Sequence, residues 1–258
     1  AVTVGGKSVK KGQRHKVGQE VAITFLPLPE TILAPEPIPL DSVYEDASII
    51  VIDKPAGLIV HPAPGHRSGT LVNGLLAHCS LSPSDDLRPG IVHRLDKETS
   101  GLIVCAKTSG AHKSLTEQFA ARLVEKCYLA ITVGNPGTTS VDRPIGRHPV
   151  RRHEMAIIEG GKQAVTHIVS KSHTERFALV EARPITGRTH QIRLHLKALG
   201  TPILGDATYG SSHLRTHCRL TRHLLHAHSL SFTHPSSGER LSFTSPCPKD
   251  FLPFIMDE

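Results

Sequence analysis

An acidic side chain flanked by basic ones is the feature of this sequence with the clearest potential for chemistry. Asp96 lies between His93, Arg94 and Lys97, in a turn-like segment that leads into an apolar run after Gly101. Nearby positive charges favour the ionised form of a carboxyl group, and an ionised carboxylate in a pocket can act as a nucleophile. Charge alone does not separate this hypothesis from a solvated surface loop, which is the commoner setting for an aspartate.

A second segment, residues 183–195, is rich in hydrogen-bond donors. The guanidinium of arginine offers five donors in a planar fork, and Gly187 allows the backbone to approach a partner closely. Without other information this is a generic basic loop that leads into a helix. As part of a site, it supplies Arg193 as a candidate ion-pair partner for a buried carboxylate, with Arg188 and His190 closer to a polyanionic ligand.

Two further segments could contact a nucleic acid. Tyr128 begins an apolar run, and the chain has only three Tyr and no Trp, so each aromatic ring that could stack on a base is notable. Core packing is the commoner role for such a tyrosine. Residues 142–153 contain four Arg, Arg147 among them, and two His around Gly and Pro. This composition is typical of a loop that follows a phosphate backbone, and equally of a solvated charged loop.

The composition is that of a globular protein with a polyanionic partner. The 258 residues are 38% hydrophobic and carry a formal net charge of +7. Lys and Arg that meet phosphates release condensed counterions, so this balance favours nucleic acid. Five Cys without C-x-x-C spacing indicate reduced thiols in a cytoplasmic protein. We find no apolar stretch long enough to span a membrane and no signal peptide, and expect no membrane partner.

Neither a metal nor a nucleotide cofactor is indicated. His190 with His195, or His223 with His226 and His228, could be imagined as metal ligands among the 18 His. However, the chain has no H-E-x-x-H pair, no Cys–His spacing of a zinc site and no Gly-rich phosphate-binding motif. We therefore expect a protein without cofactor or metal, and expect it to act as a monomer.

The chain divides by composition into three parts. Residues 1–26 alternate short apolar runs with Gly-containing turns, which predicts two or three short strands. Residues 27–40 are rich in Pro and predict an extended linker. Residues 41–258 are even in composition and predict one larger domain. Because Ala1 lies inside a strand-rich segment, we expect the natural N-terminus to lie upstream.

Strands and helices interleave within the larger part. Apolar β-branched runs predict strands, and apolar residues at helical spacing predict helices. The predicted strands are 49–52, 101–106, 128–133 and 177–182; the predicted helices are 70–78 and 110–123, with a helical or mixed pattern over 190–199. The elements lack the regular alternation of a doubly wound fold, so we expect an α+β protein with a mixed, mainly antiparallel sheet.

Taken in order, these segments resemble the RluA/RluD family of RNA pseudouridine synthases, and most closely its large-subunit ribosomal RNA synthase D branch. The similarity extends from about residue 39 to near the C-terminus. The blocks that carry it are 39–46, 51–62, 93–102, Lys126 with Tyr128, 144–149, 186–193, 202–206, 225–227 and 232–235.

The resemblance implies a pseudouridine synthase fold and the isomerisation of uridines in RNA, most closely in large-subunit ribosomal RNA. It implies that Asp96 is the nucleophile, that Arg193 keeps it ionised, and that Tyr128 stacks under the flipped base and shuttles the final proton. It leaves open whether the adduct forms at the sugar or the base. The implied substrate-binding residues are His93, Arg94, Arg147, Arg188 and His190. Transfer RNA as the substrate, or a non-catalytic ribosome-assembly factor that binds RNA, remain alternatives.

The chain departs from that family in two places. Residues 1–26 resemble only the C-terminal half of an N-terminal RNA-binding domain of the small-subunit ribosomal protein four type, and we expect these residues to lack the first helices of that domain. In the basic segment, Glu154 follows Arg152 and His153 where the family tends to be basic. We expect this acidic residue to weaken one phosphate contact.

Overall fold

The structure, a computed structural model, describes residues 2–9, 12–24, 33–63, 65–81 and 88–255. The chain falls into two compact units, Ala1–Ile32 and Leu33–Glu258. Residues 27–32 of the predicted linker lie outside the described residues, and residues 33–40 contain neither helix nor strand. In the described part, no helix has the length and apolarity that crossing a membrane requires.

The first unit is a small antiparallel sheet. Its strands are β1 Val2–Val4, β2 Lys7–Ser8 and β3 Val21–Ile23, arranged in the order β2-β1-β3. Val4 is the one buried residue among those described here. The three short strands agree with the two or three predicted from the sequence.

The second unit is built on a mixed sheet of nine strands. Eight strands follow the order β4-β5-β6-β13-β7-β12-β11-β8, and β14 pairs with β13. Strands β9 and β10 form a separate hairpin. The strands are β4 Ser42–Glu45, β5 Ile49–Lys54, β6 Ser100–Ala106, β7 Glu125–Val133, β8 Thr139–Asp142, β9 Ile145–Arg147, β10 Met155–Ile157, β11 Val165–His173, β12 Phe177–Pro184, β13 Leu225–Thr233 and β14 Arg240–Thr244.

Strands β6 and β13 run parallel where they meet, and the other described pairs of the sheet are antiparallel. A glycine makes this pairing possible. Gly101 in β6 has φ +107, and a Cβ there would lie 2.3 Å from the carbonyl oxygen of Ala227 in β13. A side chain would therefore push the two strands apart. This junction matters because the loop carrying Asp96 enters β6 directly.

Helices cover parts of both sheet faces. They are α1 Leu71–His78, α2 Ser109–Ala120, α3 Gln191–Ala198 and α4 Ser212–His217, followed by a 3-10 helix over Lys249–Phe254. The alternation of β7 explains this arrangement, because successive side chains of a strand point to opposite faces. Ala130 packs with Ile192 and Leu196 of α3, whereas Ile131 packs with Phe251 on the other face.

The α+β prediction with a mixed, mainly antiparallel sheet is confirmed. The four predicted strands lie within β5, β6, β7 and β12, and the pattern over 190–199 is the helix α3. The helix predicted over 110–123 ends early, at Ala120. Arg122 takes the left-handed conformation, with φ 61, and turns the chain into β7.

Candidate active site

Asp96 lies in the loop that precedes β6, and the residues around it fix the conformation of this loop. The side chain of Leu95 is buried, and the amide of Thr99 donates to the Asp96 carbonyl at 3.1 Å. The Thr99 hydroxyl lies 2.8 Å from Nε2 of the buried His223. The Asp96 side chain is 18% exposed. The loop therefore presents a nearly buried carboxylate on a fixed backbone, rather than a solvated surface charge.

A buried lysine holds the far side of this loop. Lys54, at the end of β5, is fully buried, and its Nζ donates to the carbonyls of Pro55, Leu58 and Lys97 at 2.8, 3.0 and 3.2 Å. Lys97 directly follows Asp96. Burial lowers the pKa of Lys54 to about 7. This lysine therefore fixes backbone carbonyls beside the nucleophile candidate.

Arg193 of α3 lies between two carboxylates. Its Nη1 donates to Oδ2 of Asp96 at 2.9 Å, while Nε and Nη2 donate to the two oxygens of Asp206 at 2.7 and 2.9 Å. The guanidinium and both carboxylates are largely or fully buried. The structure thus brings together the Asp96–Arg193 ion pair expected from the sequence. It also adds a second acid, to which the sequence analysis assigned no role.

The backbone around Asp206 keeps this second acid ionised. Its Oδ1 accepts hydrogen bonds from the amides of Thr208 and Tyr209, both at 2.9 Å. Burial alone would raise the pKa of Asp206, but the Arg193 hydrogen bonds and charge, together with the Tyr209 amide, lower it to about 2. Gly205 has φ +82, and a Cβ there would lie 2.1 Å from the carbonyl oxygen of Arg222. This glycine lets the chain bring Asp206 under Arg193.

Asp96 is also ionised at neutral pH. Burial by itself raises the pKa of this carboxyl, but the charges of His190 and Arg193 and the Arg193 hydrogen bond outweigh burial and lower the pKa. Burial lowers the pKa of His190. The permanent positive charge beside Asp96 therefore comes from Arg193, whose own pKa is raised by the two carboxylates against the effect of burial.

His190 connects Asp96 to a tyrosine that the sequence analysis did not single out. It precedes α3 in the left-handed conformation, with φ 57, which points its ring back at the site. Its Nε2 lies 3.9 Å from Oδ2 of Asp96, and its Nδ1 lies 2.7 Å from the hydroxyl of Tyr209. The Arg193 guanidinium carbon lies 4.9 Å from the centre of the Tyr209 ring. Tyr209 therefore contacts both His190 and Arg193, the two neighbours of Asp96 on this side.

A cleft of about 450 Å³ opens above Asp96. Tyr128 of β7 and Leu225 of β13 line it beside the carboxylate. Burial, with a smaller contribution from Asp96, raises the pKa of Tyr128 above its ordinary value. The ring is therefore a neutral phenol at neutral pH. An apolar floor of this kind, next to a carboxylate, suits a planar base that has left its stack.

The expected substrate-binding residues differ in their positions. His93 lines the cleft, but its Nε2 accepts the Val104 amide at 3.1 Å, its ring stacks on Phe119 at 4.6 Å, and burial lowers its pKa to about 3. The His93 ring is therefore neutral, and its Nε2 is occupied by the Val104 amide. Arg94 lines the cleft and is exposed. Arg188 also lines it, and its Nε donates to the Gln163 carbonyl at 3.0 Å.

Arg147 lies apart from the cleft, on the hairpin formed by β9 and β10. It is exposed, and its Nη1 donates to the Arg152 carbonyl at 2.9 Å within the same hairpin. Glu154 is buried beside it and lies 3.3 Å from Arg151. The hairpin attaches to the site through Met155, whose amide donates to the Tyr209 hydroxyl at 3.0 Å.

Comparisons with known proteins identify relatives over most of the chain. The family model described as RNA pseudouridylate synthase matches residues 48–198. A Bacillus subtilis protein named "Uncharacterized RNA pseudouridine synthase YlyB" is 44% identical over 261 residues, which cover 98% of this chain and 84% of that protein. The "Ribosomal large subunit pseudouridine synthase D" of Neisseria meningitidis serogroup A is 45% identical over 263 residues, covering 97% of this chain and 70% of that protein.

Solved structures share the architecture. The structure titled "Human RNA Pseudouridylate Synthase Domain Containing 1" matches with a TM-score of 0.67 at 29% identity, covering 85% of this chain and 91% of the human one. The human domain-containing 4 protein matches with a TM-score of 0.62 at 30% identity, over 82% and 90% of the two chains. Fold and cleft thus define an isomerase that modifies RNA. The chain belongs to the RluA family of RNA pseudouridine synthases.

Proposed function

We propose that this protein converts uridines of large-subunit ribosomal RNA to pseudouridine, with Asp96 as the nucleophile. The observation that carries the chemical part is the buried ion pair of Asp96 with Arg193, at 2.9 Å, at the floor of the cleft. A carboxylate held ionised in a largely water-free site is a stronger nucleophile than one in solvent. The ribosomal part is supported by relatives named as large-subunit synthase D in Neisseria, Zymomonas and Pseudomonas.

The reaction rearranges one nucleotide without a net gain or loss of atoms. The target uridine leaves its stack, and Asp96 forms a covalent bond with it, at the sugar or the base. The bond between N1 and C1′ breaks, the uracil turns over, and C5 bonds to C1′. The proton on C5 leaves, N1 takes up a proton, and Asp96 is released unchanged.

The neighbouring residues have distinct roles in this proposal. Arg193 keeps Asp96 ionised and oriented before RNA binds. Tyr128 stacks on the uracil; because it is a neutral phenol, it acts as a base only after another group removes its proton. Arg94 and Arg188 at the cleft, and Arg147 on the hairpin, contact the RNA backbone outside the reacting base.

A tritium-release experiment tests the chemistry. Large-subunit ribosomal RNA transcribed with uridine tritiated at C5 loses tritium when C5 bonds to the sugar. We expect release with the wild-type protein and with the matched control Asp142→Asn, whose carboxylate is exposed at the end of β8. Asp96→Asn should release no tritium. Equal, negligible release from wild type and Asp96→Asn would favour a non-catalytic RNA-binding role in ribosome assembly.

Mapping pseudouridines tests the substrate. In cells that lack the protein, we expect pseudouridines to disappear from large-subunit ribosomal RNA and to return with the wild-type gene but not with Asp96→Asn. If pseudouridines disappear only from transfer RNA, the ribosomal assignment is refuted, whereas the proposed isomerisation still stands.

A further inference from the structure

The sheet opens between β7 and β12 next to the cleft. Their pairing ends at Tyr128 with Ala182. Strand β7 nevertheless continues to Glu125, paired with β13, and β12 continues to Pro184, paired with β11. Pro184 has no amide hydrogen with which to extend the ladder. The two backbones therefore separate beyond this pair and leave a gap in the ladder, across which the side chains of Cys127 and Arg183 interact.

A second cavity, of about 440 Å³, lies on the other side of this gap. It and the active-site cleft share part of their walls, namely Arg122, Lys126, Pro184 and Ile185. The cleft and the second cavity are therefore adjacent, and their volumes are similar. The remaining walls of the second cavity include His167, Arg183, His228, Ser229 and Ser231.

The charges of the shared wall are unbalanced. The acids of the second cavity have partners: Glu125 lies 2.7 Å from Arg240, and Glu181 lies 2.6 Å from Arg183. Among the described residues, neither Arg122 nor Lys126 has a carboxylate within ion-pair distance. Lys126 lies over the ring of Phe119, 5.9 Å from its centre, and burial lowers its pKa. Two cations without counter-ions therefore lie between the two spaces.

Arg122 has a left-handed backbone conformation, which residues other than glycine seldom adopt. Arg122 follows α2 with φ 61, and the Leu123 amide donates to the Gln118 carbonyl at 2.9 Å. Helices that end in this way usually place glycine at the left-handed position, because a side chain there is strained. An arginine at this position gives up some stability and places a cation at the junction of the two spaces.

We infer that the second cavity binds a nucleotide adjacent to the target uridine, and that Arg122 and Lys126 bind the phosphate that links the two. The inference rests on RNA being the substrate, as the family establishes, and not on which RNA it is. The Ser229 hydroxyl supplies a hydrogen-bonding group for a base edge, as do the Nε2 atoms of His167 and His228, whose Nδ1 atoms pair with Ser140 and with the Ser245 carbonyl. Ser231 pairs with Ser242 and offers its remaining lone pair. The apolar Ile185 lines both spaces. The protein would thus bind the target uridine in the cleft and its neighbouring nucleotide in the second cavity.

A matched pair of glycine variants tests the phosphate contact. Arg219 ends α4 as Arg122 ends α2: it has φ 52, and the Leu220 amide donates back to Arg215 at 2.9 Å, but it lines neither cavity. Arg122→Gly and Arg219→Gly should both raise the melting temperature, because both relieve a left-handed side chain.

The RNA readout separates the two variants. We expect Arg122→Gly to raise the dissociation constant for a substrate stem-loop and to lower the salt dependence of binding by about one unit of slope. We expect Arg219→Gly to bind like wild type. Equal binding by the two variants, with both melting temperatures raised, would refute the phosphate contact. A wild-type protein that released no tritium from any RNA would instead refute the proposed function.

Filling the second cavity tests the base. Ser229→Phe places a ring on the wall that faces the cavity, and its melting temperature reports whether it folds. We expect a tenfold or larger increase in KM with little change in kcat. With RNA that carries an abasic residue at one neighbour of the target, wild type and Ser229→Phe should have the same KM. A folded Ser229→Phe that matched wild type on intact RNA would overturn the inference.

Discussion

Arg193 donates two of its N–H groups to Asp206 and only one to Asp96. The stronger, two-point attachment is thus to the acid that lies deeper in the protein. Bidentate pairing fixes the plane of a guanidinium, so Asp206 sets the direction in which Arg193 meets the nucleophile. Asp96 pairs with an arginine that is already oriented, and it remains accessible from the cleft.

Replacing Asp206 should damage turnover more than RNA binding. In Asp206→Asn the amide presents a donor toward Arg193, so one of its two bonds is lost and the guanidinium shifts. A displacement of about 1 Å at a reacting group can cost about 10²-fold in rate, and we expect a loss of this order in kcat with KM little changed. Steady-state tritium release at varied concentrations of one RNA gives both constants.

The ion pair of the largely buried Arg222 with the exposed Asp250 provides the control for Asp206→Asn. It has the same two-point geometry, at 2.7 and 2.9 Å, but Asp250 is 42% exposed and lies outside the cleft. Asp250→Asn should keep wild-type kcat. If Asp206→Asn also keeps it while remaining folded, Asp206 does not orient Arg193.

The acid limb of the pH–rate profile should depend on Arg193. Turnover needs Asp96 ionised, and Arg193 offsets the effect of burial, which raises the pKa of that carboxyl. Arg193→Lys keeps a charge but not the fork that reaches both acids. We expect the acid limb of kcat/KM to move to higher pH, with residual activity recovering as pH rises. Arg193→Ala should abolish turnover and largely spare RNA affinity. An unchanged acid limb in Arg193→Lys would contradict this account.

Arg147 should act on binding alone. It is exposed on the β9–β10 hairpin and is not among the described residues that line the cleft. Arg147→Ala should weaken RNA binding and lower the salt slope by about one, with kcat at saturating RNA unchanged. Arg176→Ala serves as the control, because Arg176 is exposed just before β12 starts, at the end opposite Pro184. A loss of kcat in Arg147→Ala, together with weakened RNA binding in Arg193→Ala, would mean that Arg147 acts in turnover and Arg193 in binding.

Lys54 should make stability rise with pH. Its pKa is about 7 in the folded protein, lowered by burial, and about 10.4 in an unfolded chain. Between these values the unfolded state binds more protons, so the free energy of unfolding increases with pH across that window. In Lys54→Met this increase should disappear, whereas Lys171→Met, at an exposed site on β11, should retain it. Urea unfolding at pH 7 and pH 9.5 measures how much the free energy of unfolding rises with pH. An equal rise in Lys54→Met and Lys171→Met would refute the lowered pKa of Lys54.

The sequence predicted the parts of this protein that depend on local pattern. Strands with β-branched residues, and the Asp96 and Arg193 segments, stand out because their residue types are unusual and close together along the chain. Asp206 does not stand out. Its block was noted only as part of the family resemblance, and its role arises from a buried arginine 13 residues earlier and from backbone amides, which have no sequence signature.

Other features depend on pairing at long range. Nothing in the order of segments indicates that β13 lies between β6 and β7, 125 residues or so from its parallel partner. Lys54 looks like a surface lysine beside a proline, because its burial follows from three carbonyls brought together by the fold. The gap between β7 and β12 is likewise invisible in the sequence, since it depends on where a ladder stops.

The Tyr209 hydroxyl carries a single proton and has two acceptors. Nδ1 of His190 lies 2.7 Å away and the Met155 carbonyl 3.3 Å away. While the proton is donated to Met155, Nδ1 must carry its own hydrogen, and Nε2 turns a lone pair toward Asp96. If the hairpin lifts off Tyr209, the hydroxyl can turn its hydrogen toward Nδ1. The imidazole then loses its Nδ1 proton to solvent and takes one up at Nε2, which presents a hydrogen to the carboxylate. The contact of the hairpin with Tyr209 is therefore linked to the tautomer of the imidazole beside Asp96.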